Sequence, residues 1–233
     1  MFRSIKLLLL FLLAATPLMA QEGSYAESIP ARPPYFIPMV GESSTPDAEG
    51  FLRRWMILDP IHKDLRTNIL FTDSYLRASF VDTLYFKDQF SLVMPKEGKK
   101  EKWGKEKLQW RAVESNGYNV QLLRYAELQL KVKYYGVLFF VATIVDAPED
   151  MDVRLAIGSN SASMWWLNGE EALILSGDRR MVMDDGVSQI VKLKKGANIL
   201  RGAIINGPGM SSYCVRMLDT KGEPVRNIAV RTK

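Results

Sequence analysis

The sequence predicts an all-β protein, built as a β-sandwich with one short helix. About nine short segments rich in β-branched and aromatic residues follow one another at close spacing, and only one segment has helical periodicity. The strands do not alternate with helices as they do in parallel α/β sheets. With 233 residues, of which 47% are hydrophobic, the chain is long enough for a single domain with a large core.

The first 20 residues have the pattern of a secretory signal peptide. Arg3 and Lys6 precede an apolar run of about 11 residues, and Leu-Met-Ala ends at Ala20, where we expect cleavage. A retained membrane anchor is the alternative, but a spanning helix needs roughly 18 to 20 apolar residues. We therefore expect a secreted or periplasmic protein with no membrane span after cleavage.

Residues 21–50 predict an extended N-terminal arm rather than a helix or a central strand. They carry five of the eleven prolines, and proline removes a backbone donor and fixes φ. The stretch YFIPMV, residues 35–40, is too apolar for a free linker, so we expect the arm to lie against the domain. The β-sandwich domain then occupies 51–233.

The first half of this domain predicts strands around a single helix. FLRRWMIL, residues 51–58, is strand-like and is bounded by Asp-Pro. Leu76, Phe80 and Leu84 recur every four residues behind a Thr72 or Asp73 cap, which predicts a short amphipathic helix. Residues 108–113 alternate as a half-buried strand does, whereas 134–145 lack polar alternation and predict a central strand covered on both faces.

The second half predicts a succession of antiparallel strands joined by tight turns. Asn168-Gly169 between two apolar runs is the strongest short-range signal for a hairpin. The other predicted strands in this half are 152–158, 187–193, 198–206, 212–218 and 225–230.

Charge and cysteine content exclude several classes of protein. Without residues 1–20 the chain has 29 cations and 26 anions, a mild +3 that does not favour nucleic-acid binding. The one dense basic cluster, residues 96–107, has six lysines and three glutamates and is typical of a solvated flap between strands. Cys214 is the only cysteine, so no internal disulfide can form and burial must hold the fold together.

The residues of common catalytic centres are scarce. His62 is the only histidine. A hydrolase triad would have to use it as the base, and a zinc site of the usual kind needs several His or Cys ligands. Ser159 follows Gly158 but lacks the second glycine of a nucleophile elbow. Asp184 and Asp185 are neighbours, and neighbours on a strand point to opposite faces. We therefore predict no catalytic residues.

No cofactor is predicted either. NGPG, residues 206–209, is too short to cradle a pyrophosphate and does not open a helix. A structural calcium ion is compatible with a sandwich, since the loop 176–186 could supply carboxylate and carbonyl oxygens.

The tryptophan pair before the Asn-Gly turn suggests a ligand site. Side chains alternate along a strand, so one of Trp165 and Trp166 must lie in the core, and the other faces outward or lies beneath another layer. An exposed indole beside planar charged groups can stack on a sugar ring while its neighbours bind hydroxyls. We take Trp166 as the stacking surface, with a buried tryptophan as the alternative. The other predicted ligand-binding residues are Arg179, Arg180, Asp184, Asp185 and Asn206.

Three stretches resemble the galactose-binding-like jelly-roll modules of secreted bacterial carbohydrate-active enzymes. They are FLRRWMILDPI, SMWWLNGEEAL and LKKGANILRGAIINGPGMSSYCVRMLDTKGEPV. The matching positions are Trp55 with Pro60; Trp166 with Asn168 and Gly169; Leu193 with Gly196 and Asn198; and Arg216 with Asp219, Gly222 and Pro224. Asp59 departs from the pattern, in which glycine precedes the proline. Residues 51–226 are also similar to accessory regions that accompany acetylxylan esterases.

The resemblance implies a jelly-roll β-sandwich that acts as a non-catalytic carbohydrate-associated module. Such a module binds a plant-type polysaccharide or oligosaccharide, or docks to a carbohydrate-active enzyme that does. Two alternatives stay open: a protein-interaction module of the same fold, and a small glycan esterase or glycosidase. Most of the matching motifs are turn residues, which specify a fold better than a ligand.

Overall fold

A computed structural model describes residues 33–63, 67, 69–131, 136–160 and 162–233. The predicted signal peptide and the first part of the arm, to residue 32, lie outside these residues. Residues 34–233 form one compact unit. No helix among the described residues has the length and apolar character needed to cross a membrane.

The described chain is mostly β-strand. The strands are β1 Phe36–Ile37, β2 Ser43–Ser44, β3 Arg54–Leu58, β4 Ile61–His62, β5 Lys100–Trp103, β6 Glu106–Ser115, β7 Val120–Gln121, β8 Val137–Ala147, β9 Met151–Ser159, β10 Ala162–Leu167, β11 Glu170–Leu175, β12 Gly186–Leu193, β13 Gly196–Asn206, β14 Ser212–Leu218 and β15 Ala229–Arg231. The helices are α1 Asp73–Phe80 and α2 Leu122–Tyr125, and α2 continues as a π-helical turn over Ala126–Leu130.

Two antiparallel sheets form the sandwich. The larger sheet has the order β1-β6-β3-β8-β13-β10-β11, and the smaller has the order β12-β9-β14-β7. From β7 onward the chain passes repeatedly between the two sheets, so that the order β8-β13-β10-β11 in one sheet faces the order β12-β9-β14-β7 in the other. This is the strand order of a jelly roll. The predicted fold class is confirmed.

The predicted central strand and hairpin are present, but the helix is shorter than its periodicity suggested. All but one residue of β8 is buried, as expected for a strand covered on both faces. The Thr72 hydroxyl caps α1 by accepting from the Tyr75 backbone N–H at 3.3 Å. The helix ends at Phe80, and Leu84 lies beyond it with 59% of its surface exposed. The segment 122–130 is helical although no helix was predicted there.

The larger sheet is buried on both faces, which gives the protein two apolar clusters. One lies between the sheets and contains Trp55, Trp165 and Tyr213, whose ring centroids are 5.2 to 6.0 Å apart. The other lies on the opposite face of the larger sheet, where α1 and the segment 81–95 cover β8, β10 and β13. The sandwich therefore has a third, irregular layer.

The predicted basic flap is partly a regular hairpin. Residues 100–103 pair with 106–109, and Gly104 at the turn has a φ of +57°. Trp103 packs on Tyr85 of the covering layer at a centroid distance of 4.6 Å. This hairpin therefore borders the second cluster and contributes one wall of the cleft described below.

Candidate functional site

Neither tryptophan of the pair presents an open ring. Trp165 is fully buried between the sheets, and its indole N–H donates to the Ser163 hydroxyl at 3.0 Å. Trp166 belongs to the second cluster, is 7% exposed and lies under Phe90 at a centroid distance of 5.8 Å. The alternation of the strand is as predicted, but the outward-facing indole lies beneath another layer. Trp166 is thus not a stacking surface in this conformation.

The Asn168-Gly169 turn and the predicted charged residues lie at opposite rims of the sandwich, so they do not form one site. Next to the turn, Leu167 pairs with Leu200 near the start of β13. The charged loop 176–185 instead follows β11 at the rim where Ala162 pairs with Ile205. A six-residue strand at about 3.3 Å per residue separates the two ends of β11 by most of the height of the sheet.

The predicted polar residues mainly hold their own rim together. Arg179 pairs with Asp185 at 2.6 Å, and Asp184 pairs with Arg216 of β14. Arg180 is exposed. The first pair lies within the loop 176–185, and the second fastens the loop to the smaller sheet.

Asn206 has a structural role at the same rim. It is 2% exposed, and its amide donates to the carbonyls of Gly209 and Met210 at 3.0 and 2.9 Å. These bonds close the turn between β13 and β14. Among the described residues, no group of three or more His, Cys, Asp or Glu side chains is placed to hold a metal ion, and this includes the loop 176–186.

A cleft of about 230 Å³ lies on the other side of the molecule, between β13, the β5–β6 hairpin and the covering segment. It combines an apolar floor with charged walls. Its lining residues are Phe86, Asp88, Ser91, Val93, Met94, Pro95, Lys99, Glu101, Trp110 and Arg201.

Arg201 is the most unusual residue of this cleft. It lies within the apolar strand β13, where its cross-strand partner is Trp166, and it is only 8% exposed. Its guanidinium donates from Nη2 to the Val93 carbonyl at 2.8 Å, while Nε is buried with no partner among the described residues. Burial lowers the pKa of Arg201 to about 10, opposed by the charge of Asp88.

Lys99 ties together the two acidic residues of the cleft. Its Nζ lies 2.7 Å from Asp88 Oδ2 and 2.9 Å from Glu101 Oε1. The hydrogen bond from Lys99 lowers the pKa of Asp88, and the bond to Asp88 raises the pKa of Lys99. Both acidic side chains are therefore directed at this lysine rather than at Arg201.

Two aromatic side chains form the floor. Trp110 of β6 is 1% exposed, and its indole N–H points to Glu101 Oε1 at 3.4 Å. Phe86 packs edge-on against it at a centroid distance of 5.7 Å. The aromatic pair fixes the position of Glu101 and gives the base of the cleft an apolar character.

A second cleft, of about 340 Å³, lies at the Asn168 rim. Its charged residues are already used elsewhere: Glu171 pairs with Arg77, and Lys192 pairs with Asp152 at 3.7 Å. It contains no buried unpartnered donor among the described residues. The Arg201 cleft is therefore the stronger candidate for a site.

The sequence analysis missed Arg201 although it predicted the strand that carries it. The available signal was the single charge in NILRGAIIN, residues 198–206, a strand that is otherwise apolar at its centre. A charge on a buried strand calls for a partner or a ligand. Asp88, Lys99 and Glu101 carry no such signal, because their approach depends on the irregular path of segment 81–99.

Comparisons with known proteins give distant structural likenesses. No family model matches the chain, and no curated protein matches it in sequence. The PA14 domain of the antifreeze protein MpAFP aligns with a TM-score of 0.44 at 9% identity, covering 82% of this chain and 96% of that one. A PA14 sugar-binding domain from an RTX adhesin aligns with a TM-score of 0.43 at 7% identity, covering 78% and 100%.

A third likeness is to the A domain of epithelial adhesin 9 from Candida glabrata, solved with Galβ1-4GlcNAc. Its TM-score is 0.41 at 7% identity, covering 84% of this chain and 96% of that one. All three TM-scores are below 0.5, so they assign no family to this chain.

Proposed function

We propose that the protein is a carbohydrate-binding module that holds a sugar residue in the Arg201 cleft without transforming it. The observation that carries the proposal is the convergence of Arg201, Lys99, Asp88 and Glu101 on a small cleft with an aromatic floor. Sugars present hydroxyls that both donate and accept hydrogen bonds, together with apolar C–H faces. Charged planar groups complement the hydroxyls, and the apolar base of the cleft complements the C–H faces.

The size of the cleft favours a single small unit. Its volume of about 230 Å³ is below the roughly 300–1,000 Å³ typical of sites for drug-sized ligands. The proposed ligand is therefore one residue of a glycan, such as a chain end or a side branch, and not a long stretch of polysaccharide.

Binding without chemistry follows from the way Lys99 holds the two acidic groups. A glycosidase needs one carboxylic acid with a raised pKa to protonate the leaving oxygen. Here the pKa of Asp88 is lowered by its hydrogen bond to Lys99. The cleft lining contains neither histidine nor cysteine, and the Ser91 hydroxyl accepts from the Val93 backbone N–H at 3.0 Å.

The proposal places this binding outside the cytoplasm. The leader pattern of residues 1–20 supports export, and the single cysteine is compatible with either redox environment. Fractionation of the native host, with mass spectrometry of the mature N-terminus, tests this part. A product in the cytoplasm that retains Met1 contradicts it.

Affinity gels with xylan, arabinan, galactan and pectin test the binding proposal, with isothermal titration calorimetry for the sugars that retard the protein. Arg201→Gln should weaken binding about tenfold or more, because it removes a charged hydrogen-bonding group. Arg154→Gln is the matched control: Arg154 is also a strand arginine bonded to a carbonyl, but it lies on β9 of the other sheet. If Arg154→Gln weakens glycan binding as much as Arg201→Gln does, or if the wild type binds none of the glycans, the proposal is contradicted.

A protein-docking role is the second candidate, and exposed aliphatic side chains beside the cleft favour it. Leu92 and Val93 are 58% and 73% exposed. Docking to a glycan-degrading enzyme, for which the resemblance to esterase-associated regions is the support, would use this surface. Co-elution with a purified acetylxylan esterase that is lost in Leu92→Ser/Val93→Ser supports it, and independent elution of the two proteins contradicts it.

A further inference from the structure

Two buried arginines on the larger sheet differ sharply in how their charge is balanced. Arg54 of β3 is 2% exposed and donates to Glu114 at 2.7 and 3.1 Å and to the carbonyls of Val40 and Gly41. Arg201 is 8% exposed and, among the described residues, makes one hydrogen bond, to the neutral carbonyl of Val93. Within the described part of the chain, Arg54 therefore has a carboxylate counter-ion and Arg201 has no carboxylate hydrogen-bonded to it.

An unbalanced buried guanidinium is costly to keep. It has five N–H donors, and a charge removed from water needs a partner to offset the lost hydration. One donor of Arg201 is used, and Nε is buried without an acceptor among the described residues. The lowered pKa of Arg201 reflects the same loss of hydration.

The neighbouring acidic groups do not fill this role. Asp88 and Glu101 both direct an oxygen at Lys99, at 2.7 and 2.9 Å. Asp88 acts on Arg201 only through its charge, without a hydrogen bond. No carboxylate of the described chain therefore forms a hydrogen bond with Arg201, and the adjacent cleft of about 230 Å³ has room for one from a ligand.

We infer that the ligand of this cleft carries a carboxylate, as a uronic acid residue of an acidic glycan does, and that Arg201 is its counter-ion. The inference rests on the proposed sugar-binding function and adds the class of sugar. A planar carboxylate matches the fork of a guanidinium and forms charge-assisted hydrogen bonds, which are about twice as strong as neutral ones. Trp110 and Phe86 are only 1% and 6% exposed, so they give the cleft an apolar base but not a stacking platform for the ring.

The sharpest test uses the wild-type protein and pairs of ligands that differ only in charge. Galacturonate and glucuronate are compared with their methyl esters by isothermal titration calorimetry, with galactose, glucose and acetate as further probes. We expect one uronate to bind at least about tenfold more tightly than its methyl ester. The preference should shrink as salt is raised, although a partly buried pair is screened less than an exposed one.

Variants show which residue is responsible for the preference for the acid over the ester. Arg201→Gln should remove the preference for the acid over the ester, and Arg201→Lys should keep part of it, because lysine retains the charge but not the fork. Arg154→Gln should leave it unchanged. Melting temperatures of all variants show which of them are folded, and the ester comparison on the wild type stands even if a variant unfolds.

Each outcome separates the two proposals. Binding of neutral sugars in the cleft with no gain for the uronates overturns the acidic-ligand inference and leaves sugar binding in place. Binding of acetate as tight as that of the uronates supports an anion site and contradicts the sugar. Absence of binding by every sugar and by acetate overturns both proposals.

Discussion

Replacement of Glu114 by glutamine tests how the N-terminal segment is held on the sheet. The Glu114 carboxylate is 5% exposed and accepts two hydrogen bonds from Arg54, which also donates to the carbonyls of Val40 and Gly41. Glu114→Gln leaves the guanidinium buried without a counter-ion while keeping the shape of the side chain. Removal of one partner from a buried pair costs about 3–5 kcal/mol, and we expect the lower end because glutamine still accepts a hydrogen bond.

The measurement is thermal unfolding together with urea unfolding at pH 7. About 3 kcal/mol corresponds to a fall in Tm of about 6–12 °C for a chain of this size. Asp152→Asn is the control, because the Lys192–Asp152 pair is 3.7 Å long with side chains 65% and 53% exposed, and such pairs contribute about 0–1 kcal/mol.

A double variant refines the same prediction. Arg54→Met combined with Glu114→Leu removes both charges, so it should be less destabilised than Glu114→Gln alone. A fall of less than about 2 °C for Glu114→Gln, or a double variant that is the least stable of the set, refutes the claim of a balanced buried pair.

Three further predictions concern the covering layers and the buried thiol. Gly158→Ala should destabilise by about 1–3 kcal/mol in urea unfolding, because an added Cβ would lie 1.8 Å from the Val182 carbonyl oxygen and would displace the loop 176–185. Phe90→Ala should increase acrylamide quenching of Trp166 fluorescence at a cost of about 1–2 kcal/mol, since Phe90 is 38% exposed yet covers the indole. Burial raises the pKa of Cys214 from 9.0 to about 12, so the unfolded chain loses this proton first and the urea midpoint should fall as pH rises from about 9 toward 12.

Each of these has a control and a contradicting result. Gly117→Ala places its Cβ where no atom lies within 4 Å, so it should be neutral; equal effects at Gly117 and Gly158 would refute the packed loop. Quenching by acrylamide that is unchanged in Phe90→Ala would show that another group covers Trp166. Cys214→Ala should reduce the fall of the urea midpoint at alkaline pH. A pH profile identical to that of the wild type would contradict a buried thiol.

The fold could be predicted because its determinants are local. The apolar strand β8, the Asn168-Gly169 turn and the strands after it all encode their conformation within a few residues. The covering layer over Trp166 could not be predicted, because segment 81–99 has neither helical nor strand periodicity. Alternation placed Trp165 and Trp166 on opposite faces but gave no information on what covers each face.

The site was harder to predict than the fold for two physical reasons. The predicted site combined Trp166, before the turn, with charged residues that follow it closely in sequence, but β11 carries the chain from one end of the sandwich to the other between them. The Arg201 cleft brings together residues more than 100 positions apart, such as Asp88 and Arg201, along a path that no local pattern encodes. Only the charge within the apolar strand β13 was visible in advance.

The central claim is that a sugar binds in the Arg201 cleft, and the indole N–H signals of the protein test it most directly. The five tryptophans give five such signals, and Trp110 alone among them lines the cleft. On titration with galacturonate or glucuronate in ¹⁵N-edited NMR, the Trp110 signal should shift in a saturable way, while those of Trp55 and Trp165 between the sheets stay in place. A bound sugar that leaves Trp110 unmoved, and shifts backbone signals of residues 176–185 instead, would contradict the account.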